Sequence, residues 1–231
     1  MLNLKYLAEP LRILAFSKYS VTIILMNLVE LASLNSGEVP LHTHPIYDQL
    51  PTLQKINASL AASKLVLCGT MGLYNPDSPK RLVDFGAGKG GSTFALALLA
   101  EQNAGSVDAV EDNPARASHL EATGLEAQMP VRLHRAEGIR WLYDHARGGE
   151  SFDLINAAMF GPDFEGDLAR KLLLVSRSAL KSGGSMIIYS DPLTMAATQE
   201  VCEEEGVDFQ GIGQLTTGLS GSPDTIVVTN P

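Results

Sequence analysis

Cysteine is almost absent from this chain: Cys68 and Cys202 are the only two among 231 residues, far apart in sequence. A disulfide framework and a cysteine-rich zinc cluster are therefore excluded, and a reducing, cytoplasmic setting is the expectation. An excess of basic residues is missing too. Lys and Arg number 17 against 26 Asp and Glu, giving a formal net charge of −9 and a pI near 5.0. Nucleic-acid binding is driven largely by Lys and Arg replacing counterions, so this balance weighs against a nucleic-acid partner, although a local basic patch could survive. A clean membrane span is also lacking. The longest apolar run, LRILAFSKYSVTIILMNLVELASL, is interrupted by Lys18, Asn27 and Glu30, whereas a spanning helix wants about 20 predominantly apolar residues. Neither a secretory signal nor a membrane anchor is expected; a soluble amphipathic or buried helix is. His42 and His44 in LHTHP have no third ligand nearby in sequence, so no metal site is expected and both are read as solvent-facing.

A hydrophobic content of 45% over this length is enough to close one sizeable core. Two parts differ in pattern. Residues 1–80 show helix-like apolar spacing at 11–34, a Pro-, His- and Gly-rich loop, and a second helical stretch from about Leu50 to Cys68, forming a helical cap or oligomerisation segment through which a homo-oligomer could assemble. YNPDSPK, with two turn-favouring prolines, links this part to residues 81–231.

From Arg81 short apolar runs alternate with helical segments. RLVDF, SVDAVE, VRLHRA, FDLINAAM and SMIIYS read as strands, in the βαβ rhythm of a parallel sheet covered on both faces. The clearest helix is expected over about 164–181, with Leu168, Leu172, Val175 and Ala179 on one face and Gly183 as its stop. A last helix is expected near Thr194–Glu205. The closing runs VDFQGIGQLTTG and PDTIVVTN lie too close together for a parallel crossover and read as an antiparallel pair. The expected fold is α/β: a Rossmann-like, doubly wound, seven-stranded sheet, mostly parallel with an antiparallel C-terminal strand pair, plus an N-terminal helical extension.

The stretch RLVDFGAGKGGST carries the chemistry. In doubly wound sheets the ligand sits at the carboxyl ends of the strands, where the first turn into a helix is glycine-rich. Gly86, Gly88 and Gly90 let a ligand approach the backbone at the start of a helix. The same letters satisfy the dinucleotide pattern G-x-G-x-x-G through Gly86, Gly88 and Gly91. Asp84 argues for a different ligand, because a carboxylate there suits an ammonium group better than a pyrophosphate. Glu111, closing the second strand, is placed to accept two ribose hydroxyls, a role shared by nucleoside-binding sheets in general. Glu137 and Gly138 stand at the loop after the third strand, where they would border an adenine or, for Glu137, simply face solvent.

In this order and spacing the chain resembles the class I S-adenosylmethionine-dependent methyltransferases, over about 150 residues from Arg81 onward. VDFGAGKG is similar to the family's first motif, AVEDNP to its acidic ribose site, and LKSGGSMII to its LKPGG-plus-strand element. The resemblance implies S-adenosylmethionine as cofactor, held by Asp84, Gly86, Ala87, Gly88 and Gly90, by Glu111 and Asp112, and by Glu137 and Gly138. It implies methyl transfer to a small-molecule acceptor. GAGKGGST, VED, AEGIRWL and FDLINAAMFGP also resemble the spermidine synthase group, which implies aminopropyl or carboxypropyl transfer. There the pattern departs: Lys89 replaces the acidic residue in the glycine loop, and Asn156 stands where the catalytic aspartate belongs. A neutral amide cannot accept a polyamine's proton as a carboxylate does. A non-catalytic protein binding a nucleoside or a partner is the remaining alternative. Substrate-facing candidates at the strand ends are Asn156, Phe160 and Asp191. NAAM lacks both prolines of the NPPY-like signature of amino-nitrogen methylation. Tyr47, Tyr74 and Trp141 are expected in apolar packing, and Lys89 in solvent.

Overall fold

A computed structural model describes residues 41, 44–75, 79–158, 167–190, 192–212 and 225–231. The apolar run at 11–34, His42, Phe160 and Asp191 lie outside them. Two N-terminal helices, α1 (Pro45–Gln49) and α2 (Thr52–Thr70), precede the alternating part. That part runs β1 (Arg81–Phe85), α3 (Gly91–Gln102), β2 (Ser106–Val110), α4 (Pro114–Ala122), α5 (Leu125–Gln128), β3 (Val131–His134), α6 (Gly138–Arg147), β4 (Phe152–Ala158), α7 (Asp167–Ala179), β5 (Leu180–Tyr189), α8 (Pro192–Glu204), β6 (Phe209–Ile212) and β7 (Thr225–Thr229).

These strands form one seven-stranded sheet in the order β3-β2-β1-β4-β5-β7-β6. The first five are parallel to their neighbours, while β7 runs antiparallel to both β5 and β6. Because both faces are covered, the inner strands carry apolar residues on each side, and period-two alternation sorts them between two cores. Leu82, Val107, Ala109, Leu154, Ile187 and Val227 face a core completed by Ala58, Ala61 and Leu65 of α2 and Phe94, Leu96 and Ala97 of α3. Val83, Val110, Ile155, Met186 and Val228 face the other, with Trp141 and Leu142 of α6, Leu172 and Leu173 of α7, and Met195 of α8.

The N-terminal helices are built into this arrangement. A side chain on Gly91 would place its Cβ 2.6 Å from Asn57 Cβ and 2.9 Å from the Gln54 carbonyl, so glycine lets α2 press against the start of α3. His44 is not the solvent-facing loop residue expected. Its Nδ1 accepts from the Ile46 N–H at 3.3 Å as the N-cap of α1, and its ring meets Phe94 edge-on at 5.6 Å. The Pro45 that bounds the loop begins a helix, as a proline in the first turn readily does.

The helix expected to stop at Gly183 ends earlier, at Ala179. Leu180 already pairs with Phe152, and a register irregularity before Leu154↔Ser185 accommodates the Lys181–Gly184 stretch within β5. Gly183 serves that irregularity, with φ +75°. The buried face of α7 is Ala169, Leu172, Leu173, Ser176 and Ala179, leaving Leu168 exposed.

Candidate cofactor site

The turn from β1 into α3 is built on left-handed backbone: φ is +70° at Gly86, +59° at Gly88 and +92° at Gly90. L side chains resist this region, and at Gly90 a Cβ would also crowd Leu120 and Leu125 at 3.2 Å. At Gly88 a Cβ would meet nothing nearer than the Gly86 carbonyl at 3.9 Å, so the outer side of the loop is unpacked. The loop is tied to the neighbouring strand. Gly86 N–H and Ala87 N–H both donate to the Val110 carbonyl at 3.0 Å, and Gly90 N–H donates to the Ala87 carbonyl.

Glu111 follows β2 and is 3% exposed. Its Oε2 accepts from Gly88 N–H at 2.7 Å and its Oε1 from Asn113 N–H at 2.9 Å, so one carboxylate spans the glycine loop and the turn into α4. Asn113 in turn caps α4 through Ala115 and Arg116. Asp112 beside them is exposed. A carboxylate offers about four lone-pair directions, so acceptor capacity remains on Glu111.

Asp84 lies in the adjacent strand, in register with Ala109. The two acids thus sit at neighbouring strand ends. Asp84 is fully buried: its Oδ2 accepts from Ser92 Oγ at 2.8 Å and Thr93 Oγ1 at 2.6 Å, and its Oδ1 from Asn156 Nδ2 at 2.9 Å. Burial raises its pKa above the usual carboxylate value; the three donors oppose this, and the negative Glu111 reinforces it. Asn156, expected toward substrate, is directed at Asp84 and has no exposure.

Beyond β3, Glu137 is the N-cap of α6, accepting from Ile139 N–H at 3.0 Å and Arg140 N–H at 2.8 Å. Gly138 is required by packing: a Cβ there would come within 2.6 Å of the Phe85 ring. Lys89 is exposed, Trp141 packs among His134, His145 and Phe152, and Tyr74 is buried with its hydroxyl donating to the Leu65 carbonyl. Among the described residues no three His, Cys, Asp or Glu side chains gather as metal ligands, and no helix is long and apolar enough to cross a membrane. Sequence reasoning missed Ser92, Thr93, Asn113 and Tyr189. The first two had a signal, since hydroxyl residues immediately after a glycine loop fall on the first helical turn.

No protein-family model matches this sequence, and comparison with curated proteins gives no match. Solved structures do match. The T. thermophilus 16S rRNA N2 G1207 methyltransferase RsmC, in complex with AdoMet and guanosine, is 19% identical with a TM-score of 0.53, over 75% of this chain and 43% of that one. Precorrin-6y C5,15-methyltransferase from Geobacter metallireducens is 18% identical with a TM-score of 0.52, over 72% of this chain and 89% of that one. This chain has the class I S-adenosylmethionine-dependent methyltransferase fold, as its motifs and closing antiparallel strand pair led one to expect.

One expectation is corrected here. Net charge was read as weighing against a nucleic-acid partner, yet an enzyme of 16S rRNA stands among the structures sharing this fold. Net charge sums the whole surface, whereas phosphate contacts are made by a local patch, so an acidic total decides little about the acceptor.

The residues present fit the cofactor that this fold implies. The glycine loop leaves open space over Gly88, and Glu111 retains acceptor sites beside it. Asp84 sits beneath the loop with three donors already on its two oxygens.

Proposed function

We propose that this chain binds S-adenosylmethionine at the β1–α3 turn and transfers its methyl group. What carries the reading is the Glu111 carboxylate, buried at the end of β2 and bonded to the Gly88 N–H of a glycine loop that is open over Gly88. When bound, the cofactor supplies a methyl group already activated on a sulfonium, so the protein's task is alignment and exclusion of water. Gly86, Ala87, Gly88 and Gly90 give close backbone approach, and the free lone pairs of Glu111 accept ribose hydroxyls, with Asp112 at the rim. Glu137 and Gly138 border the adenine. Asp84 fixes the loop through Ser92 and Thr93 and places negative charge below the cationic cofactor. The helix α2 flanks this site by packing on the start of α3.

Asn156 supports methyl transfer over aminopropyl transfer, since it is a neutral amide that donates to Asp84 and offers no base. A small-molecule acceptor is the narrower reading. It draws support from the presence of the precorrin-6y enzyme among the structures sharing this fold, of which 89% is covered.

Calorimetry with S-adenosylmethionine, decarboxylated S-adenosylmethionine and NAD tests the cofactor; binding of NAD alone would overturn the reading. Labelled S-adenosylmethionine is then offered with a metabolite extract and, separately, with rRNA. Label in a small molecule supports the narrower reading, and label in RNA refutes it while leaving methyl transfer intact. Methylthioadenosine as by-product would establish aminopropyl or carboxypropyl transfer instead. Tight binding with no turnover would favour a non-catalytic protein.

A further inference from the structure

Two buried polar atoms near Asp84 lack partners. Asn156 Oδ1 and Tyr189 Oη are enclosed, and neither finds a hydrogen bond among the described residues. Such atoms are rare in native interiors because each forfeits its hydration without compensation. These two are complementary, since an amide oxygen accepts and a phenol donates.

The sheet register brings them together. Asp84 pairs with Asn156 across β1 and β4, and Asn156 pairs with Ile187 across β4 and β5. Tyr189 lies two residues beyond Ile187, hence on the same face as Asn156 and Asp84. Burial, the largest influence, and the Asp84 charge push the phenol's pKa well above the usual tyrosine value, with the Asn156 amide opposing them. The hydroxyl therefore stays protonated and able to donate.

We infer that Tyr189 is a positioning residue whose hydroxyl, bridged to the amide oxygen by one buried water, holds the Asn156 amide with its nitrogen toward Asp84. The orientation matters because the two ends of the amide do opposite things. With Nδ2 toward Asp84, a carboxylate is satisfied. With the amide turned over, Asn156 Oδ1 faces Asp84 Oδ1, and these two acceptors can be joined only by a proton on the acid. In a fully buried site, where burial already favours the neutral acid, that turn tips Asp84 toward keeping its proton. The other titratable groups acting on this cluster are Glu111 from the end of β2, which acts on Asp84, and Cys68 from α2, which acts on Tyr189. Tyr189 thus links the end of β5 to the charge state of the residue beneath the glycine loop, across three strands.

The consequence for binding rests on the proposed S-adenosylmethionine site; the proton linkage does not. The experiment uses the full chain and Tyr189→Phe, which keeps the ring and its packing. In the ligand-free protein, NMR follows the Asp84 carboxyl carbon and the Asn156 side-chain amide across pH. The expected result is an upward move of the Asp84 midpoint in the variant, with faster exchange of the Asn156 amide protons. An unmoved midpoint overturns the inference. In calorimetry with S-adenosylmethionine, the variant should bind about tenfold more weakly at neutral pH, the scale of one lost hydrogen bond, and recover at alkaline pH. Equal weakening at every pH would mean a packing role only and would also overturn it. If the unaltered chain binds no S-adenosylmethionine, the proposed function fails while the NMR titration still decides the role of Tyr189.

Discussion

Replacing Glu111 with alanine tests whether one side chain holds the glycine loop. The substitution strips acceptors from two backbone donors, Gly88 N–H at 2.7 Å and Asn113 N–H at 2.9 Å, in a place where the side chain is 3% exposed. A hydrogen bond to a charged group contributes about 1.5–3 kcal/mol net, and a buried donor left without a partner costs a similar amount. Against that stand the relieved burial of a charge and the relieved repulsion with Asp84. Allowing for both, the expected loss of stability is about 2–4 kcal/mol. Glu111→Gln retains one carbonyl oxygen but turns an NH2 toward a second N–H, so it should fall roughly midway. Urea denaturation followed by circular dichroism and by fluorescence of Trp141 measures this, and the slope should not change because the same surface is exposed. Trp141 lies in the core on the opposite face of the sheet, so it reports global unfolding rather than the loop. A loss under about 0.5 kcal/mol for the alanine variant would refute the idea that this carboxylate fixes the loop. The glutamine variant should lose S-adenosylmethionine binding more severely than its stability suggests, since the remaining lone pairs of the carboxylate are then gone too.

Other expectations follow from particular contacts. Gly91→Ala drives a Cβ to 2.9 Å from the Gln54 carbonyl and should cost about 1–3 kcal/mol despite the helix propensity of alanine; a raised melting temperature would contradict the packing of α2 on α3. At Asp153 burial raises the pKa, but the Lys181 ammonium and the Arg81 and Lys80 N–H groups outweigh it and hold the carboxyl below 3.8. A depressed folded pKa stabilises at pH above the unfolded value and loses that stabilisation as pH falls through the folded one, so Asp153→Asn should weaken the fold at neutral pH and converge with the unaltered chain in strong acid. The Cys202 thiol is pushed up to about 11, by burial first and then by Glu203. Alkylation at mildly alkaline pH should therefore spare Cys202 until denaturant is added, and rapid modification of the folded chain would show the site to be open.

The strands were legible because a strand buried on both faces is a continuous apolar run, and RLVDF spans β1 residue for residue. The glycine loop and Glu111 were legible for a related reason: backbone that must be left-handed, and an acid one step past a strand, leave marks in local sequence. What could not be read was set by contacts between distant segments. Asn156 seemed free to face a substrate until the β1–β4 register put it against Asp84, 72 positions away. The enclosure of Asp84 and the place of Tyr189 depend on the same registers. The β5 irregularity escaped notice because LKSGG looks like a helix ending, and only the pairing of Leu180 with Phe152 shows the chain already in the sheet. Net charge misled by being an average.

The position of β7 bears on how the chain is made. It comes after every other strand in sequence yet lies between β5 and β6. As the polypeptide leaves the ribosome, the outer rim of β5, with Met186, Ile187 and Ile188, must wait with unanswered backbone groups until Thr225–Thr229 emerge. A waiting apolar rim invites pairing with another nascent molecule. Premature termination before residue 225 should consequently produce aggregates rather than a smaller soluble sheet.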